Sequence, residues 1–366
     1  MLARANIAQT LRVTHAAVSA RHLSVTVTAS MVKELREASG APMMDCKKAL
    51  GECDGNVDGA MDWLRAKGIA RAAKNADRVA QEGLVAVLSS QIVGGRGSSV
   101  TLVEINSETD FVGKNADFHQ FVSTVAHAAA AHGAAADGAT VTLLPNGASA
   151  SSISPDAFLA ANSGAMQNAL GLVIASIREN IVIKRILTLT PPASAADSLT
   201  VFASYVHGRV QSDAKAAQGL AAELVMGKAA SVVCLQAPGA ATETAREAVE
   251  EQGRRLAMHV VAAKPLFCRE ADVLDSFLER ERAIMDEQMA GDEKNASKKP
   301  EILVKMREGK INKRLSEVCL ASQPHMVEDG SPAVHKVLKA AGKDLQLQGD
   351  LEVAYFQRWA LGEDSN

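Results

Sequence analysis

The sequence predicts an α+β protein in which an N-terminal three-helix bundle precedes a core of two subdomains and a helical hairpin. Each subdomain is expected to combine an antiparallel sheet with helices. Residues 29–68 contain short helical patterns separated by capping residues, and alternating apolar residues, as in residues 100–105, predict strands later in the chain. Two long, highly charged helical segments between residues 269 and 317 predict the hairpin.

The composition is that of a globular protein with more than one core. A chain of 366 residues has room for two or three domains, since one core typically serves about 100 to 200 residues. Its 39 basic and 42 acidic residues leave a net charge of only -3, so no overall basic field predicts a nucleic-acid partner. No apolar run approaches the roughly 20 residues of a membrane span. We therefore expect neither nucleic acid nor a membrane as a direct partner.

The sequence offers no pattern typical of a metal or cofactor site. Its five cysteines are scattered and never form Cys-x-x-Cys, which argues against a disulfide framework or zinc site and favours a reducing compartment. Residues 54–59 begin like a calcium-binding loop, but Arg65 stands where such a loop needs a chelating glutamate. Phosphate-binding and dinucleotide-binding glycine motifs are missing as well. We expect no metal and no cofactor.

Residues 1–28 differ from the rest of the chain. They carry Arg4, Arg12 and Arg21 among many Ser, Thr and Ala residues, and no acidic residue precedes Glu34. This composition is typical of an organellar transit peptide and lacks the apolar centre of a secretory signal. A disordered N-terminal tail is the alternative. In either case we expect the folded protein to begin near residue 29.

Residues 29–68 contain three short helical patterns. Gly40 marks the end of the first helix, residues 43–52 form the second, and Gly68 marks the end of the third. On the second helix Met44 lies about 100 degrees from the apolar stripe, on a polar face. The three helices predict a compact bundle that resembles a ubiquitin-associated (UBA) domain. The apolar stripe of the second helix comprises Met43, Cys46, Leu50 and Cys53.

The rest of the chain is predicted to form the two core subdomains. The first covers residues 69–196, the second covers residues 197–357 and contains the hairpin, and a tail follows over residues 358–366. Alternating apolar residues bounded by turn residues predict the strands, and apolar residues at helical spacing predict the helices. The predicted strands cover residues 83–88, 98–105, 181–190, 199–206, 230–235 and 351–356. The first two are predicted to form a β-hairpin joined by a glycine turn at 94–97. The predicted helices cover residues 69–79, which form a basic linker after the bundle, and residues 165–178, 242–263 and 333–341. Another begins near Asn115, and its apolar face is predicted from the spacing of Phe118, Phe121, Val122 and Val125.

One stretch is predicted to be an insertion and another a long loop. Residues 132–152 are rich in Ala, Gly and Ser, which predicts a variable insertion. Residues 209–227 form a long loop after His207. A lone histidine at the end of a strand is more often a surface residue than a ligand or a base.

Residues 106–112 form a polar connection between a predicted strand and a predicted helix, with one aromatic residue, Phe111, at its tip. Large aromatic side chains are usually buried, so one interpretation places Phe111 beneath the next helix. The other interpretation is a wedge. A phenylalanine on a short loop, beside the carboxylate of Asp110, can enter an apolar pocket of a partner protein. The residues alone leave both interpretations open.

Several motifs resemble those of the elongation factor Ts family and occur in the same order. They are Val-Lys-Glu-Leu-Arg at 32–36, Met-Met-Asp-Cys-Lys-Lys-Ala-Leu at 43–50, Asp-Trp-Leu-Arg at 62–65, Val-Glu-Ile-Asn-Ser-Glu-Thr-Asp-Phe-Val at 103–112, Glu-Asn-Ile at 179–181, Tyr-Val-His-Gly at 205–208 and Met-His-Val-Val-Ala-Ala-Lys-Pro at 258–265. Such an ordered set, spread over most of the chain, is highly specific. Together with the transit-like leader, it resembles the mitochondrial form of the family.

The resemblance implies a function. Members of this family promote GDP release from elongation factor Tu, so we expect a guanine nucleotide exchange factor in the mitochondrial matrix with elongation factor Tu as its partner. Such a factor carries out no covalent chemistry of its own. Whether the protein forms a homodimer stays open. The alternative is a ubiquitin-type adaptor or scaffold protein that uses the N-terminal bundle, and the absence of catalytic motifs disfavours an enzyme.

The resemblance also implies roles for individual residues. In this family the residues matching Arg36, Met43 and Met44 pack against a helix of the partner's nucleotide-binding domain. Phe111 would insert between two helices of that domain. Asp110 would help to disturb the switch region that holds the magnesium ion.

A second contact region is implied around His207. This residue would lie near the phosphate-binding loop of the partner, where the contact promotes a backbone change that expels the phosphates. The family commonly has glycine before Glu-Asn-Ile, whereas this chain has Arg178. Further candidate contact residues are Thr109, Val112, Ile177 and Gly208.

Overall fold

The computed structural model describes residues 27–91, 98–132, 139–162, 164–192, 198–211, 222–240, 242–291 and 298–363. Within these ranges the chain forms ten α-helices and nine strands, and the strands make two antiparallel sheets. The predicted α+β class is therefore confirmed. Most of the transit-like leader lies outside the described residues, as do the predicted glycine turn at 94–97 and the end of the tail.

The N-terminal bundle consists of α1 (Ala29–Ser39), α2 (Met43–Glu52) and the first half of α3 (Val57–Asn75). The side chain of Thr28 caps α1 by accepting a hydrogen bond from the Met31 amide. Gly40 ends α1 in the left-handed conformation, with φ 65°. The bundle core contains Val32, Leu35, Cys46, Leu50 and Leu64.

The start of α2 differs from the prediction at one residue. Met44 is 72% exposed, as its position on the polar face predicts, but Met43 is also 58% exposed. The prediction that Met43 belongs to the core-facing stripe is therefore wrong. Met43 is the first residue of α2, and the buried stripe begins about one turn later, at Cys46.

The third helix does not end at Gly68. It continues to Asn75, so the bundle and the predicted linker share one uninterrupted helix. Gly68 serves close packing instead of termination, because a β-carbon there would overlap the carbonyl oxygen of Gly171 on α6 (Ala165–Ile177). Conversely, a β-carbon on Gly171 would lie 2.8 Å from the carbonyl oxygen of Arg65. The two glycines let α3 and α6 touch along their backbones.

The first sheet has six strands in the order β3-β4-β5-β2-β1-β7. Its strands are β1 (Glu82–Gln91), β2 (Ser98–Ser107), β3 (Ala139–Leu143), β4 (Ser149–Ile153), β5 (Val182–Thr190) and β7 (Ala222–Gly227). The hairpin of β1 and β2 confirms the prediction. β3 and β4 form a second local pair, whereas β5 with β2, β4 with β5 and β7 with β1 join segments that are far apart in sequence.

The predicted insertion and the predicted long loop both contribute strands to this sheet. Residues 132–152 contain β3 and most of β4, and residues 209–227 contain β7. The prediction of a long loop is therefore wrong for residues 222–227, whereas the insertion at 132–152 stays a prediction; residues 133–138 and 212–221 lie outside the description. Small residues such as those of β4 become a strand because β5 supplies the hydrogen-bonding partner.

Helices cover the outer face of the first sheet. They are α4 (Ala116–His132), α5 (Pro155–Ala161) and α6. The spacing in α4 buries Phe118, Phe121, Val122 and Val125 as predicted. In the described part of the chain no single helix is long and apolar enough to cross a membrane, and α5 with α6 would qualify only as a pair bent by 115°.

The second sheet packs against the inner face of the first. Its order is β6 (Ser198–His207), β8 (Ala229–Pro238) and β9 (Glu352–Ala360). One core contains Val87 and Leu102 of the first sheet together with Val232 and Trp359 of the second. The outer face of the second sheet is covered by α7 (Glu243–Ala263) and α10 (Val334–Asp344). The chain thus forms four layers in the order helices, sheet, sheet, helices.

The predicted helical hairpin is formed by α8 (Asp275–Ala290) and α9 (Pro300–Val318). Two ion pairs join the helices, Arg307 with Asp286 at 3.2 Å and Arg314 with Glu281 at 3.4 Å. These pairs are partly exposed and contribute little individually. Residues 292–297, between the helices, lie outside the description.

A buried polar network fastens the base of the hairpin. The ring nitrogen Nε2 of His259 lies 2.9 Å from Oε1 of Gln323, and the amides of Met326 and Val327 donate to Nδ1 of His259 and His325. Burial lowers the pKa of His325 to about 4, and the neighbouring His259 and Arg255 act in the same direction. Burial also lowers the pKa of His259. Both rings are therefore neutral near pH 7 and serve as hydrogen-bonding groups.

The backbone contact between α3 and α6 generates a stability prediction. Gly68→Ala should lower the free energy of unfolding by about 3 kcal/mol or separate the bundle from the core, because the added methyl group overlaps the Gly171 carbonyl. Urea unfolding of the purified protein measures this change.

Gly51→Ala is the matched control. Gly51 lies inside α2 with no atom within 4 Å of an added β-carbon, so alanine should be neutral or stabilise by up to about 1 kcal/mol. Equal effects of the two substitutions would show that the α3–α6 contact does not need glycine.

Candidate functional site

The ends of four strands of the first sheet meet on one side of the molecule. Ser107, at the end of β2, pairs with Glu82 at the start of β1, and Val182 at the start of β5 pairs with Asn106. Gly227, at the end of β7, pairs with Val85. We call this side the strand-end surface. It carries the connections that follow β2, precede β5 and join β7 to β8.

Phe111 lies on this surface and points away from the core. Phe111 is 76% exposed, so the interpretation that places it beneath the next helix is wrong. The neighbouring Val112 is only 4% exposed and enters the core, where it anchors a short 3-10 helix, Val112–Lys114. Asp110 is exposed beside Phe111. The loop therefore buries one apolar residue as its anchor and presents the larger one to solvent.

Hydrogen bonds hold both sides of the Phe111 loop. The buried ring of His119 lies 2.8 Å from the carbonyl oxygen of Gly113, through Nε2. Asn115 caps α4, since its side-chain oxygen accepts from the amides of Asp117 and Phe118 at 2.8 and 3.2 Å. The chain that leaves the loop is therefore fixed.

A reciprocal pair of carboxylates fixes the chain that enters the loop. Glu179 accepts hydrogen bonds from the amide and the hydroxyl of Thr109, at 2.9 and 2.6 Å. Glu108 accepts one from the Asn180 amide at 2.7 Å and also pairs with Arg78 at 3.3 Å. We call these contacts the carboxylate clasp. They join the Phe111 loop to the segment between α6 and β5.

The segment between α6 and β5 also contacts the N-terminal bundle. The guanidinium of Arg178 lies 2.9 Å from the carboxylate of Asp45 on α2, and Lys67 lies 2.7 Å from that carboxylate. Burial alone would raise the pKa of Asp45, but Lys67 and Arg178 outweigh it and hold the pKa below its usual range. Asp45 is therefore ionised at neutral pH and links α2 to α3 and to the end of α6.

The three candidate contact residues of the bundle are all exposed. Met43 and Met44 open α2 directly after the turn at Gly40, and Arg36 lies in the last turn of α1. The amide of Gly40 donates to the carbonyl oxygen of Arg36. The left-handed turn therefore brings the end of α1 and the start of α2 together as one surface with two flexible apolar side chains and one cation.

His207 occupies the end of β6 and is exposed. Its ring lies 6.4 Å from that of Tyr205, and its carbonyl oxygen accepts from the Lys228 amide at 2.9 Å. Gly208 follows in the left-handed conformation, with φ 64°. The backbone of His207 touches Gly227, because a β-carbon on Gly227 would lie 2.5 Å from the His207 carbonyl oxygen. His207 therefore belongs to the strand-end surface.

The sheet geometry sets the separation of the two exposed loops. Gly227 lies two strands away from Ser107 in the sheet. Its partner Val85 lies three residues beyond Glu82, the partner of Ser107, along β1. Strand spacing and rise give about 10 Å in each direction, so the Phe111 loop and the His207 backbone lie about 15 Å apart. One protein partner can contact both.

The remaining candidate contact residues have mixed exposure. Thr109 and Ile177 are partly buried, and Gly208 is exposed. Ile177 packs against the core at the last position of α6. Val112 is buried, so its contribution is to anchor the loop.

Sequence reasoning missed the residues that hold these surfaces together. Glu179 and Asn180 were quoted only as a motif, and Asp45 had no assigned role. The sequence could have indicated that Glu108 and Glu179 bind a distant part of the chain, because each lies next to a turn and neither has a basic residue three or four positions away. Their pairing becomes visible only after β2 and β5 are placed side by side.

Comparison with known proteins identifies the family of this chain. The family model described as Elongation factor TS matches residues 108–363. The Elongation factor Ts proteins of Paramagnetospirillum magneticum and Methylobacterium sp. are each 39% identical over 337 residues, covering 92% of this chain and 92% of theirs. That of Caulobacter vibrioides is 35% identical over 337 residues, covering 92% of this chain and 93% of its own. The chain belongs to the elongation factor Ts family.

Proposed function

We propose that this protein promotes GDP release from elongation factor Tu during mitochondrial translation elongation. Membership of the family supports a translation elongation factor that acts as a nucleotide exchange factor on elongation factor Tu. The observation that carries the mechanism is the exposure of Phe111 on a loop fixed at both ends. Because the backbone of the loop is already fixed, less conformational freedom is lost when Phe111 binds.

The exposed residues contact two regions of the partner. Phe111 inserts into the nucleotide-binding domain, and Asp110 brings a negative charge beside it. Met43 and Met44 adapt to an apolar surface near that point, since methionine fills irregular contacts. His207 reaches the phosphate-binding side from the other part of the strand-end surface. The chain makes and breaks no covalent bond in this process.

The energetics require several contacts. GDP bound with nanomolar affinity is held by about 12 kcal/mol, and each 1.4 kcal/mol of preference for the nucleotide-free state speeds release about tenfold. Burying one phenylalanine contributes only about 1.5 to 3 kcal/mol. Phe111 alone therefore cannot account for exchange. Linkage also requires that GDP weaken the binding of the exchange factor by the same factor.

The adaptor alternative treats the bundle as an independent module. The bundle shares α3 with the core and is tied to α6 through Asp45 and Arg178. This arrangement favours a joint surface of bundle and core over a separate binding module.

Release of fluorescent GDP from mitochondrial elongation factor Tu tests the proposed function. The wild-type chain should accelerate release, and Phe111→Ala should reduce the acceleration at least about tenfold, corresponding to about 1.4 kcal/mol. The change should not unfold the protein, because the side chain lies outside the core.

Leu143→Ala is the matched control. Leu143 is 78% exposed but lies on β3, at the opposite edge of the sheet from β7, so its loss should leave exchange unchanged. No acceleration by the folded wild-type chain would overturn the proposed function. Equal losses in both variants would overturn the role of the Phe111 loop.

The mitochondrial location rests on the composition of residues 1–28, with three arginines and no acidic residue. Residues 1–33 fused to a fluorescent protein should direct it into mitochondria in cells. Replacing Arg4, Arg12 and Arg21 by glutamate should abolish import, because transit peptides need a positive charge. Cytosolic fluorescence from the unaltered fusion would contradict the proposal.

A further inference from the structure

We infer that the last turn of α6 sets the relative position of the bundle and the Phe111 loop, and that Arg178 is its positioning residue. This inference rests on the proposed function, because it concerns the relative position of two regions of this protein that contact the partner. The role assigned to Arg178 is one of positioning, through its contact with Asp45.

The backbone of Arg178 adopts a conformation that disfavours a side chain. Its φ of 69° and ψ of 12° are left-handed, and its amide closes α6 by donating to the carbonyl oxygen of Ile174 at 2.9 Å. A residue with a β-carbon is about 1 kcal/mol less stable there than glycine. The arginine therefore keeps the backbone turn of a glycine while adding a long cationic side chain.

That side chain points to the start of α2. It reaches the Asp45 carboxylate at 2.9 Å, two residues after Met43. The Asp45 side chain is only 16% exposed, and Lys67 holds its other oxygen at 2.7 Å. Lys67 in turn lies 4.8 Å from the centre of the Trp63 ring. Because the carboxylate is largely shielded and has two cationic partners, this network is stiffer than an isolated surface ion pair.

Neighbouring residues of the same turn make the other attachments. The hydroxyl of Ser176 lies 3.2 Å from the carbonyl oxygen of Gly40 and 2.7 Å from the carboxylate of Asp117. Glu179 holds Thr109 through the carboxylate clasp. Three of the four residues at 176–179 thus contact the turn before α2, α2 itself, the first turn of α4 and the entrance of the Phe111 loop.

This arrangement links the two apolar contact regions through one short segment. Met43 and Met44 directly precede Asp45, and Phe111 follows Thr109 by two residues. Loss of the Arg178 contact should let the start of α2 shift, while the backbone packing of α3 on α6 keeps the bundle attached. The protein should stay folded, but the residues that contact the partner should no longer be held in their binding positions.

Arg178→Gly separates positioning from folding stability. Glycine suits the left-handed turn, so unfolding by urea should require the same or a higher denaturant concentration. The concentration of the factor that gives half-maximal GDP release should rise about fivefold, with the maximal rate nearly unchanged. Arg178→Lys should recover part of the loss. A purely structural role would instead make the loss of exchange follow a loss of stability.

A double-mutant cycle with Asp45→Asn distinguishes positioning from direct contact of Arg178 with the partner. If Arg178 acts through Asp45, the double variant should be no weaker than the weaker single variant. Additive losses would overturn the inference. Arg254→Ala is the control, since it removes an exposed ion pair with Glu251 on α7 and should leave exchange unchanged.

A distance measurement on the chain alone separates this inference from the proposed function. Nitroxides on noncanonical residues at the exposed positions Lys33 on α1 and Gln120 on α4 report the spacing by double electron–electron resonance. Arg178→Gly should broaden or shift the distance distribution, whether or not the protein stimulates exchange. An unchanged distribution would overturn the positioning role and leave the proposed function untouched.

Discussion

The carboxylate clasp is the interaction on which the candidate site depends. Glu108 and Thr109 at the end of β2 face Glu179 and Asn180 before β5, and each side supplies a carboxylate that accepts the other side's amide. Hydrogen bonds to a charged acceptor are stronger than neutral ones. The clasp is available only because β2 and β5 are neighbours in the sheet. It holds an exposed phenylalanine in place without burying it.

Two further constraints extend this local order across the molecule. The glycine contact between α3 and α6 brings the bundle onto the core, and the Arg178–Asp45 pair orients the start of α2. On the other side, β7 pairs with β1 and carries Gly227 to the backbone of His207. The strand-end surface therefore joins segments from both sheets, and the exposed residues of the bundle are tied to it through the segment between α6 and β5. One partner can meet both surfaces at once.

Local patterns predicted much of the fold, and long-range pairing explains the rest. The position of Met44 on α2 correctly predicted that it is exposed. The spacing of the apolar residues in α4 correctly predicted that Phe118 and Phe121 are buried. Gly68 was misinterpreted because a glycine that ends a helix and one that packs against another backbone look alike in sequence. The strands β4 and β7 were missed because their partners β5 and β1 lie far away along the chain, and β3 was missed with them because it pairs with β4. The exposure of Phe111 followed from the family resemblance, since the residues alone left two interpretations open.

Site-specific photo-crosslinking tests most directly whether the strand-end surface meets the partner. With benzoylphenylalanine at position 111, the account predicts a crosslink to the nucleotide-binding domain of nucleotide-free mitochondrial elongation factor Tu that excess GDP suppresses. The same probe at position 143 should give no crosslink, although Leu143 is equally exposed. A crosslink from position 143 and none from position 111, with both proteins folded, would contradict the account.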